Sequence, residues 1–278
     1  MTRKRRPIRF WPAVPKPIDP GELVGPLGLV PEVMADEDGP PAEAAAGEAG
    51  PAVGRAAEGP DEDEPFWASL LTDARKARID SVVAARLGSV TCVLDSLWDP
   101  HNTAAILRTA EGLGLLRVHI VPNQDGDVGA HRRITQDADK WMELHVHTTG
   151  AEAAHSLRRQ GFEVWAGHLD EGATLLDALP ADRPLALLFG HEHEGPSAET
   201  RAACSGSFRI PMAGFIQSFN VSVAAAMALA QITGARRRRL GTAGDLGEAD
   251  RAALRSRYIR LAARLARRLP DAPRLARK

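Results

Sequence analysis

Cysteine is scarce in this chain, which has only Cys92 and Cys204 among its 278 residues. The two lie far apart and do not form a C-x-x-C pair, the spacing typical of zinc sites and redox motifs. We therefore interpret both as reduced thiols buried in the hydrophobic core.

Long apolar runs are also missing, since none approaches the roughly 18–20 residues that span a bilayer. The basic N-terminus contains no apolar stretch of the kind found in signal peptides, because it is interrupted by Pro7, Pro12, Pro15 and Pro17. We expect a cytoplasmic protein with no membrane partner. Aromatic residues make up only 5% of the chain, which argues against a stacking platform for single-stranded nucleic acid.

Familiar catalytic and nucleotide-binding signatures are absent as well. No G-x-x-x-x-G-K-[ST] segment occurs, no G-x-G-x-x-G follows the first predicted strand, and no G-x-S-x-G is present. A P-loop, a Rossmann-type site and a nucleophile elbow therefore all lack their fingerprints. His191 and His193, like His145 and His147, could chelate a cation from an extended segment, but a third ligand at a recognisable spacing is missing, so we predict no metal.

The formal net charge of −1 conceals a strong asymmetry along the chain. Residues 1–65 hold 7 Lys and Arg against 13 Asp and Glu, whereas residues 235–278 hold 14 against 4. A basic tail on a nearly neutral body indicates a polyanionic partner.

Composition divides the chain into four parts. Residues 1–65 are rich in Pro, Ala, Gly and Glu without a sustained period, and are predicted to be disordered. Residues 66–88 are predicted to form a basic helix, residues 89–235 an α/β domain, and residues 236–278 a basic tail containing a helix over 250–269. The helix in 66–88 has an apolar face. Its opposite face is basic and consists of Arg75, Lys76, Arg78 and Arg86. That basic face is either solvated or directed at RNA.

From Ser89 onward, short apolar segments alternate with helical ones. Strands are predicted over 90–94, 117–121, 144–147, 162–166, 185–189 and 207–211, and helices over 103–113, 151–160 and 220–233. This alternation indicates a parallel sheet covered on both faces. Ligands of such sheets bind at the carboxyl ends of the strands.

Two glycine-bearing segments, 187–197 and 210–220, begin as buried strands and break at Gly or Pro. Loops of this kind at neighbouring strand ends form a pocket lined by main-chain groups, which suits a flat ligand, and Gly190 and Gly214 permit a close approach of the main chain. A third segment, residues 102–110, supplies a cation, Arg108.

These three segments resemble the motifs of the SpoU/TrmH branch of the SPOUT RNA methyltransferases, in order and over residues 72–234. The resemblance implies a sheet with a C-terminal trefoil knot, a homodimer and S-adenosylmethionine as methyl donor. Pro100-His-Asn102, Lys140-Trp141, Gln217-Ser218 and the helix over 75–83 are most similar to the subgroup that methylates the ribose 2′-hydroxyl of a guanosine in the tRNA D-loop.

The resemblance also assigns site residues. Contacts with the methyl donor, made largely through main-chain groups, are implied for Gly167, Gly190, Ile210, Met212 and Phe219. Gly167 stands where Thr is frequent in the family, and Phe219 where Leu is. Catalytic roles are implied for Asn102, Arg108, Glu192, Ser218 and Asn220, and contacts with RNA for Arg75, Lys76, Arg78 and Lys140.

A chemical role can be assigned to the catalytic arginine. A guanidinium stays protonated, so Arg108 is a poor base. We expect it to bind a substrate phosphate and to lower the pKa of the ribose hydroxyl, while that phosphate or Glu192 assists proton removal. Asn102 is expected to orient Arg108 or the ribose. Asn220 is interpreted either as a helix cap alone or as an additional contact with the arginine or the substrate.

Three functions follow, in order of preference. The first is 2′-O-methylation of a tRNA guanosine. The second is the same chemistry on ribosomal RNA, and the third is a catalytically silent RNA-binding protein. The intact set of catalytic residue types argues against the third.

Overall fold

The structure is a computed structural model that describes residues 63–123, 138–170 and 172–266. The predicted disordered lead lies outside the described residues except at its end, where Glu64 and Pro65 form the first turn of a helix instead. The last part of the basic tail, residues 267–278, also lies outside them.

The six predicted strands are present, and the structure adds two short helices that the sequence did not predict, Ala138–Trp141 and Ala198–Ala203. The helices are α1 (Glu64–Ala68), α2 (Asp73–Ala84), α3 (Pro100–Gly112), α4 (Ala138–Trp141), α5 (Gly150–Arg159), α6 (Ala198–Ala203), α7 (Val221–Leu240) and α8 (Glu248–Ala266). The strands are β1 (Val90–Asp95), β2 (Arg117–Val121), β3 (Glu143–Val146), β4 (Glu163–Gly167), β5 (Thr174–Leu175), β6 (Leu185–Phe189) and β7 (Gly206–Arg209). Strand β5 was not predicted, because two residues are too short to show a period.

All seven strands belong to one sheet in the order β3-β2-β1-β6-β4-β7-β5, and every neighbouring pair is parallel. The predicted parallel sheet is confirmed. Strands β1 and β6 are adjacent at its centre, with Val93 opposite Leu188, and both are buried along their whole length. The chain continues from β1 to one side of the sheet and reaches β4 and β7 on the other. The carboxyl ends of β1 and β6 therefore flank the crevice where such sheets bind ligands.

Helices cover both faces of the sheet. On one face α3 and α7 pack together and contribute Ile106, Leu107, Ala228 and Leu229 to the larger core cluster. On the other face α5 contributes Ala153, Ala154 and Leu157 to a second cluster. Cys92 and Cys204 are buried free thiols, as predicted, and burial raises the pKa of Cys204 to about 11.

The long helix α7 does not end near residue 233, as predicted, but continues to Leu240. The reason is that two of the arginines assigned to the tail are buried. Arg237 is fully buried and donates to the main-chain carbonyls of Leu113, over 2.8 Å, and Ala243, also over 2.8 Å. Gly241, with a φ of +68°, ends the helix. The expected boundary between residues 235 and 236 therefore falls inside a helix.

Arg86 also departs from its predicted place on an exposed basic face. Helix α2 ends at Ala84, and the chain then turns Arg86 inward until its side chain is fully buried. Its guanidinium donates to the carbonyl of Leu115 over 3.0 Å and to the carboxylate of Glu111 over 2.9 Å. It also lies 5.7 Å from the ring centre of Tyr258 on α8. Arg86 therefore joins the terminal helices to the sheet domain.

Candidate active site at the carboxyl ends of β1 and β6

The segment that follows β6 turns back sharply at two glycines. A Cβ atom at Gly190 would lie 2.2 Å from the main-chain nitrogen of Pro196, so only glycine fits there. Gly195 has a φ of +68°, and its N–H donates to the carbonyl of His191 over 2.8 Å. The result is a compact turn at the end of a central strand.

Glu192, within that turn, binds the neighbouring loop between β1 and α3. One carboxylate oxygen accepts from the main-chain N–H of Trp98 over 2.8 Å. The other accepts from the main-chain N–H of Asp99 over 3.1 Å and from the side-chain amide of Asn102 over 2.9 Å. Burial raises the pKa of Glu192, but these hydrogen bonds outweigh it and hold the pKa below its usual value. A carboxylate stabilised in this way is a weak proton acceptor.

Asn220 links the same site to the start of α7. Its side-chain oxygen accepts from the N–H groups of Ser222, over 2.8 Å, and Val223, over 3.4 Å, so it caps the helix. Its side-chain amide donates to the oxygen of Asn102 over 3.1 Å. Asn220 is therefore a cap that also makes a tertiary contact, and that contact is to Asn102 rather than to the predicted arginine.

Arg108 lies on the exposed side of α3, whereas Asn102 is buried near its start. Six residues of α-helix separate the two by about 120° around the axis, and the structure does not join them. Within residues 63–123, 138–170 and 172–266, the side chain of Arg108 makes no hydrogen bond or ion pair. Its guanidinium is therefore available to an external anion.

Residues predicted to hold the methyl donor lie at three adjacent strand ends. Gly167 ends β4, Gly190 follows β6, and Ile210 follows β7, the three strands being neighbours in the order β6-β4-β7. A Cβ atom at Gly167 would lie 3.4 Å from the ring of Phe208, an ordinary contact, so glycine is not sterically required there. The sequence predicted that the loops after β6 and β7 follow neighbouring strands. That prediction is wrong, because β4 lies between the two strands and places Gly167 between the loops.

The segment 210–220 runs from β7 to α7 without regular structure. Ile210 packs against the main core, and Met212 and Phe219 are half-buried, while Ser218 is exposed. A side chain at Gly214 would meet open space, so no steric reason for glycine is found there. Two further side chains of this segment are exposed and apolar, Phe215 and Ile216, as are Val223 and Met227 on α7.

The predicted RNA-contacting residues lie on two helices outside this crevice. Arg75, Lys76 and Arg78 are half-buried on α2, which packs against α8. Lys76 forms an ion pair with Asp73 over 2.6 Å, and such solvent-exposed pairs add little to stability. Lys140 is on α4, which packs against α3, the helix of Arg108.

Histidines lie near the site and farther along the sheet. The rings of His191 and His193 are 5.8 Å apart. His119 and His147 share a hydrogen bond of 2.8 Å between Nδ1 and Nε2, and His119 also lies 5.0 Å from the ring of His145. In the part of the chain that the structure describes, no group of three His, Cys, Asp or Glu side chains is placed to hold a metal ion.

Sequence reasoning missed the part played by the loop between β1 and α3. Asp99 caps α3, accepting from the N–H of His101 over 2.8 Å, and Pro100 occupies the first turn. This Asp-Pro pair is a recognisable helix start, which could have located the two main-chain N–H groups that bind Glu192. The exposed indole of Trp98 has no such signal in a single sequence.

A family model and curated relatives both match the sheet domain of this chain. The model of the SpoU rRNA Methylase family matches residues 89–230. The tRNA (guanosine(18)-2′-O)-methyltransferase of Thermus thermophilus is 40% identical over 169 residues, which cover 61% of this chain and 85% of that protein. Its Escherichia coli K12 namesake is 33% identical over 163 residues, covering 57% and 69%. The 23S rRNA (guanosine-2′-O-)-methyltransferase RlmB of Haemophilus influenzae is 32% identical over 166 residues, covering 59% and 66%.

Among solved structures, the chain is similar to the A. aeolicus TrmH/SpoU tRNA modifying enzyme. The TM-score is 0.60 at 24% identity, over 67% of this chain and 95% of the other. At that identity the similarity establishes a common fold.

Proposed function

Because this chain belongs to the SpoU rRNA Methylase family, we propose that it transfers a methyl group from S-adenosylmethionine to the ribose 2′-hydroxyl of a guanosine in the D-loop of tRNA. The observation that carries the tRNA assignment is the 40% identity to a tRNA (guanosine(18)-2′-O)-methyltransferase over 85% of that protein. The ribosomal RNA relatives match with 32–36% identity over 60–66% of their length, and methylation of ribosomal RNA is the second candidate.

The three adjacent loops fit the methyl donor. Its adenine is flat and has polar edges, which main-chain N–H and C=O groups can match. The turn at Gly190 has no room for a side chain, and Gly167, Ile210, Met212 and Phe219 would complete a pocket that holds the donor largely through main-chain groups. S-adenosylmethionine supplies an electrophilic methyl group on a sulfonium.

Arg108 is proposed to bind the RNA. Methyl transfer is an in-line displacement, so the position of the ribose determines the rate. The exposed guanidinium is suited to hold a phosphate beside the target ribose and to stabilise negative charge on the 2′-oxygen. Ser218, exposed on the loop before α7, is proposed to contact the same nucleotide.

Glu192 and the two asparagines are proposed to fix this geometry. Glu192 has a lowered pKa and accepts three hydrogen bonds, so we assign it an anchoring role. The substrate phosphate is then proposed to assist transfer of the hydroxyl proton to water, since a phosphodiester is itself too weak a base to keep that proton. The oxygen and amide of Asn102 are bonded to Asn220 and Glu192, so Asn102 is proposed to act by holding these two residues in place.

The remaining expectations concern assembly and RNA contacts. We propose a homodimer, supported by the exposed apolar side chains Phe215, Ile216, Val223 and Met227. We also propose that the C-terminal part of the sheet forms the trefoil knot of the family, and that tRNA contacts Arg75, Lys76, Arg78 and Lys140. A cytoplasmic location remains a prediction. Among the residues that the structure describes, no helix has the length and apolar character required to cross a membrane.

The test is methyl transfer from labelled donor to unmodified tRNA transcripts and to ribosomal RNA transcripts, followed by mapping of the modified nucleotide. We expect a 2′-O-methylguanosine in the tRNA D-loop. Incorporation into ribosomal RNA alone would contradict the tRNA assignment, and incorporation into neither would contradict the activity.

A further inference from the structure

Trp98 is exposed beside the candidate active site. Its side chain is 57% exposed, whereas the other tryptophans among the described residues, Trp67, Trp141 and Trp165, are at most partly exposed. A single exposed aromatic is common on protein surfaces, so exposure alone assigns no role. The position and surroundings of this indole supply the further evidence.

The main chain of Trp98 is held in place by the site itself. Its N–H donates to Glu192 over 2.8 Å, and Glu192 is in turn bonded to Asn102. The indole is therefore attached to the same network that organises the crevice between β1 and β6. A side chain fixed at its base loses less conformational freedom when a ligand contacts it.

A second flat ring supports the indole. The imidazole of His191 lies 6.2 Å from the Trp98 ring, at 62°, in an edge contact. The Nδ1 atom of His191 accepts from the main-chain N–H of His193 over 3.2 Å, which fixes the orientation of the imidazole. Two flat, partly exposed rings thus meet at the rim of the crevice, one from each of the two loops that form it.

The chemistry of the substrate indicates what these rings contact. The base of a nucleotide is attached at C1′, next to the C2′ that carries the reacting hydroxyl. A ribose that enters the crevice beside Glu192 therefore brings its base to the rim. Entry of the ribose also separates the base from its neighbours, and that lost stacking is commonly replaced by an aromatic side chain.

We propose that Trp98, supported by His191, forms a nucleobase subsite that stacks on the guanine of the nucleotide being methylated. This inference rests on the proposed RNA methyltransferase function. It modifies the expectation drawn from the low aromatic content, because the subsite uses one indole for one base and needs no extended platform.

The test compares Trp98→Ala, Trp98→Phe and wild type, with Phe66→Ala as matched control. Phe66 on α1 is 52% exposed and also meets a neighbouring ring edge-on, that of Trp67 at 5.1 Å. Equilibrium binding is measured with two synthetic tRNAs, one intact and one lacking only the base of the target guanosine. Apparent KM for tRNA, kcat and donor affinity are measured in parallel, and the oligomeric state is determined by light scattering.

For the intact tRNA, Trp98→Ala should weaken binding and raise KM by about 10-fold or more, since stacking on one base contributes that much. Trp98→Phe should stay within about 3-fold of wild type, and Phe66→Ala should match wild type. The loss caused by Trp98→Ala should disappear on the abasic tRNA, with donor affinity and oligomeric state unchanged.

Equal losses on the two RNAs, no loss on either, or a change in oligomeric state with Trp98→Ala would overturn the subsite. The binding assay decides this even if methyl transfer fails. If wild type binds tRNA in the expected pattern but transfers no methyl group, the activity is contradicted and the subsite stands. If wild type does not bind tRNA, both the proposed activity on tRNA and the nucleobase subsite are contradicted.

Discussion

The side-chain amide of Asn220 donates to the side-chain oxygen of Asn102 over 3.1 Å, although 118 positions separate them in the sequence. This hydrogen bond joins the start of α7 to the start of α3. Because Asn102 also donates to Glu192, three segments that lie far apart in the sequence form one polar network at the carboxyl ends of β1 and β6.

Replacing Asn220 separates its two roles. Asn220→Ala removes the cap of α7 and should lower the free energy of unfolding by about 1–2 kcal/mol. Asn220→Ser keeps a capping oxygen but is too short to reach Asn102, so its stability should stay within about 0.5 kcal/mol of wild type. Both variants should lose about 10-fold or more in turnover. Urea unfolding and single-turnover methyl transfer check this, and full activity in Asn220→Ser would show that the link to Asn102 is dispensable.

Replacement by alanine should have different effects at the two glycines of the predicted donor loops. Gly190→Ala places a Cβ against the main chain of Pro196, so it should destabilise the fold by about 1–3 kcal/mol and weaken donor binding. Gly214→Ala meets open space and should leave stability within about 0.5 kcal/mol. Thermal unfolding and calorimetric titration with S-adenosylmethionine measure both effects, and equal behaviour of the two variants would refute the steric argument.

Acid should destabilise the protein through His119. Burial, then the neighbouring His145, His147 and Arg117, lower the pKa of His119 from 6.5 to about 3. Between these values the unfolded chain binds a proton that the folded chain does not, so this contribution to stability is complete above about pH 6.5 and is lost as the pH falls toward 3.

The substitution His119→Asn should make the stability of the protein depend less on pH. The measurement is the urea concentration at half-unfolding between pH 7 and pH 5. His155→Asn, at an exposed position on α5, is the matched control and should follow wild type. An unchanged pH dependence in His119→Asn would exclude this residue as the cause.

Arg108 should affect chemistry without affecting folding. Because its side chain is exposed and unpaired within the described residues, Arg108→Ala should unfold within about 0.5 kcal/mol of wild type and bind S-adenosylmethionine equally well. Its kcat should fall by about 100-fold to 1000-fold, and Arg108→Lys should recover only part, since an ammonium cannot bind a phosphate bidentately. Unchanged turnover in Arg108→Ala would remove the residue from the mechanism.

Much of the fold follows from periodicity, because buried parallel strands such as β1 and β6 are short apolar runs with clear ends. The burial of Arg86 and Arg237 could not be predicted from sequence, since each arginine is solvated by main-chain carbonyls that only tertiary packing brings close. Strand β5 was missed because Thr174 and Leu175 are too few to show alternation.

The sequence predicted which residues form the candidate site but not which of them are hydrogen-bonded to one another. The family resemblance of the motifs identified Asn102, Glu192 and Asn220, but their mutual hydrogen bonds depend on the order of β1, β6 and β7 in the sheet, which the motifs alone do not give. The sequence suggested Glu192 as a proton acceptor, whereas the main-chain N–H groups of Trp98 and Asp99 that lower its pKa become visible only in the fold.

The most direct test of the central claim uses two tRNAs that differ by one oxygen atom. One carries guanosine at the mapped position and the other carries 2′-deoxyguanosine there. If the chain methylates the ribose 2′-hydroxyl, labelled methyl should enter the first tRNA and not the second, while both bind. Equal incorporation into the two would contradict ribose 2′-O-methylation at that position.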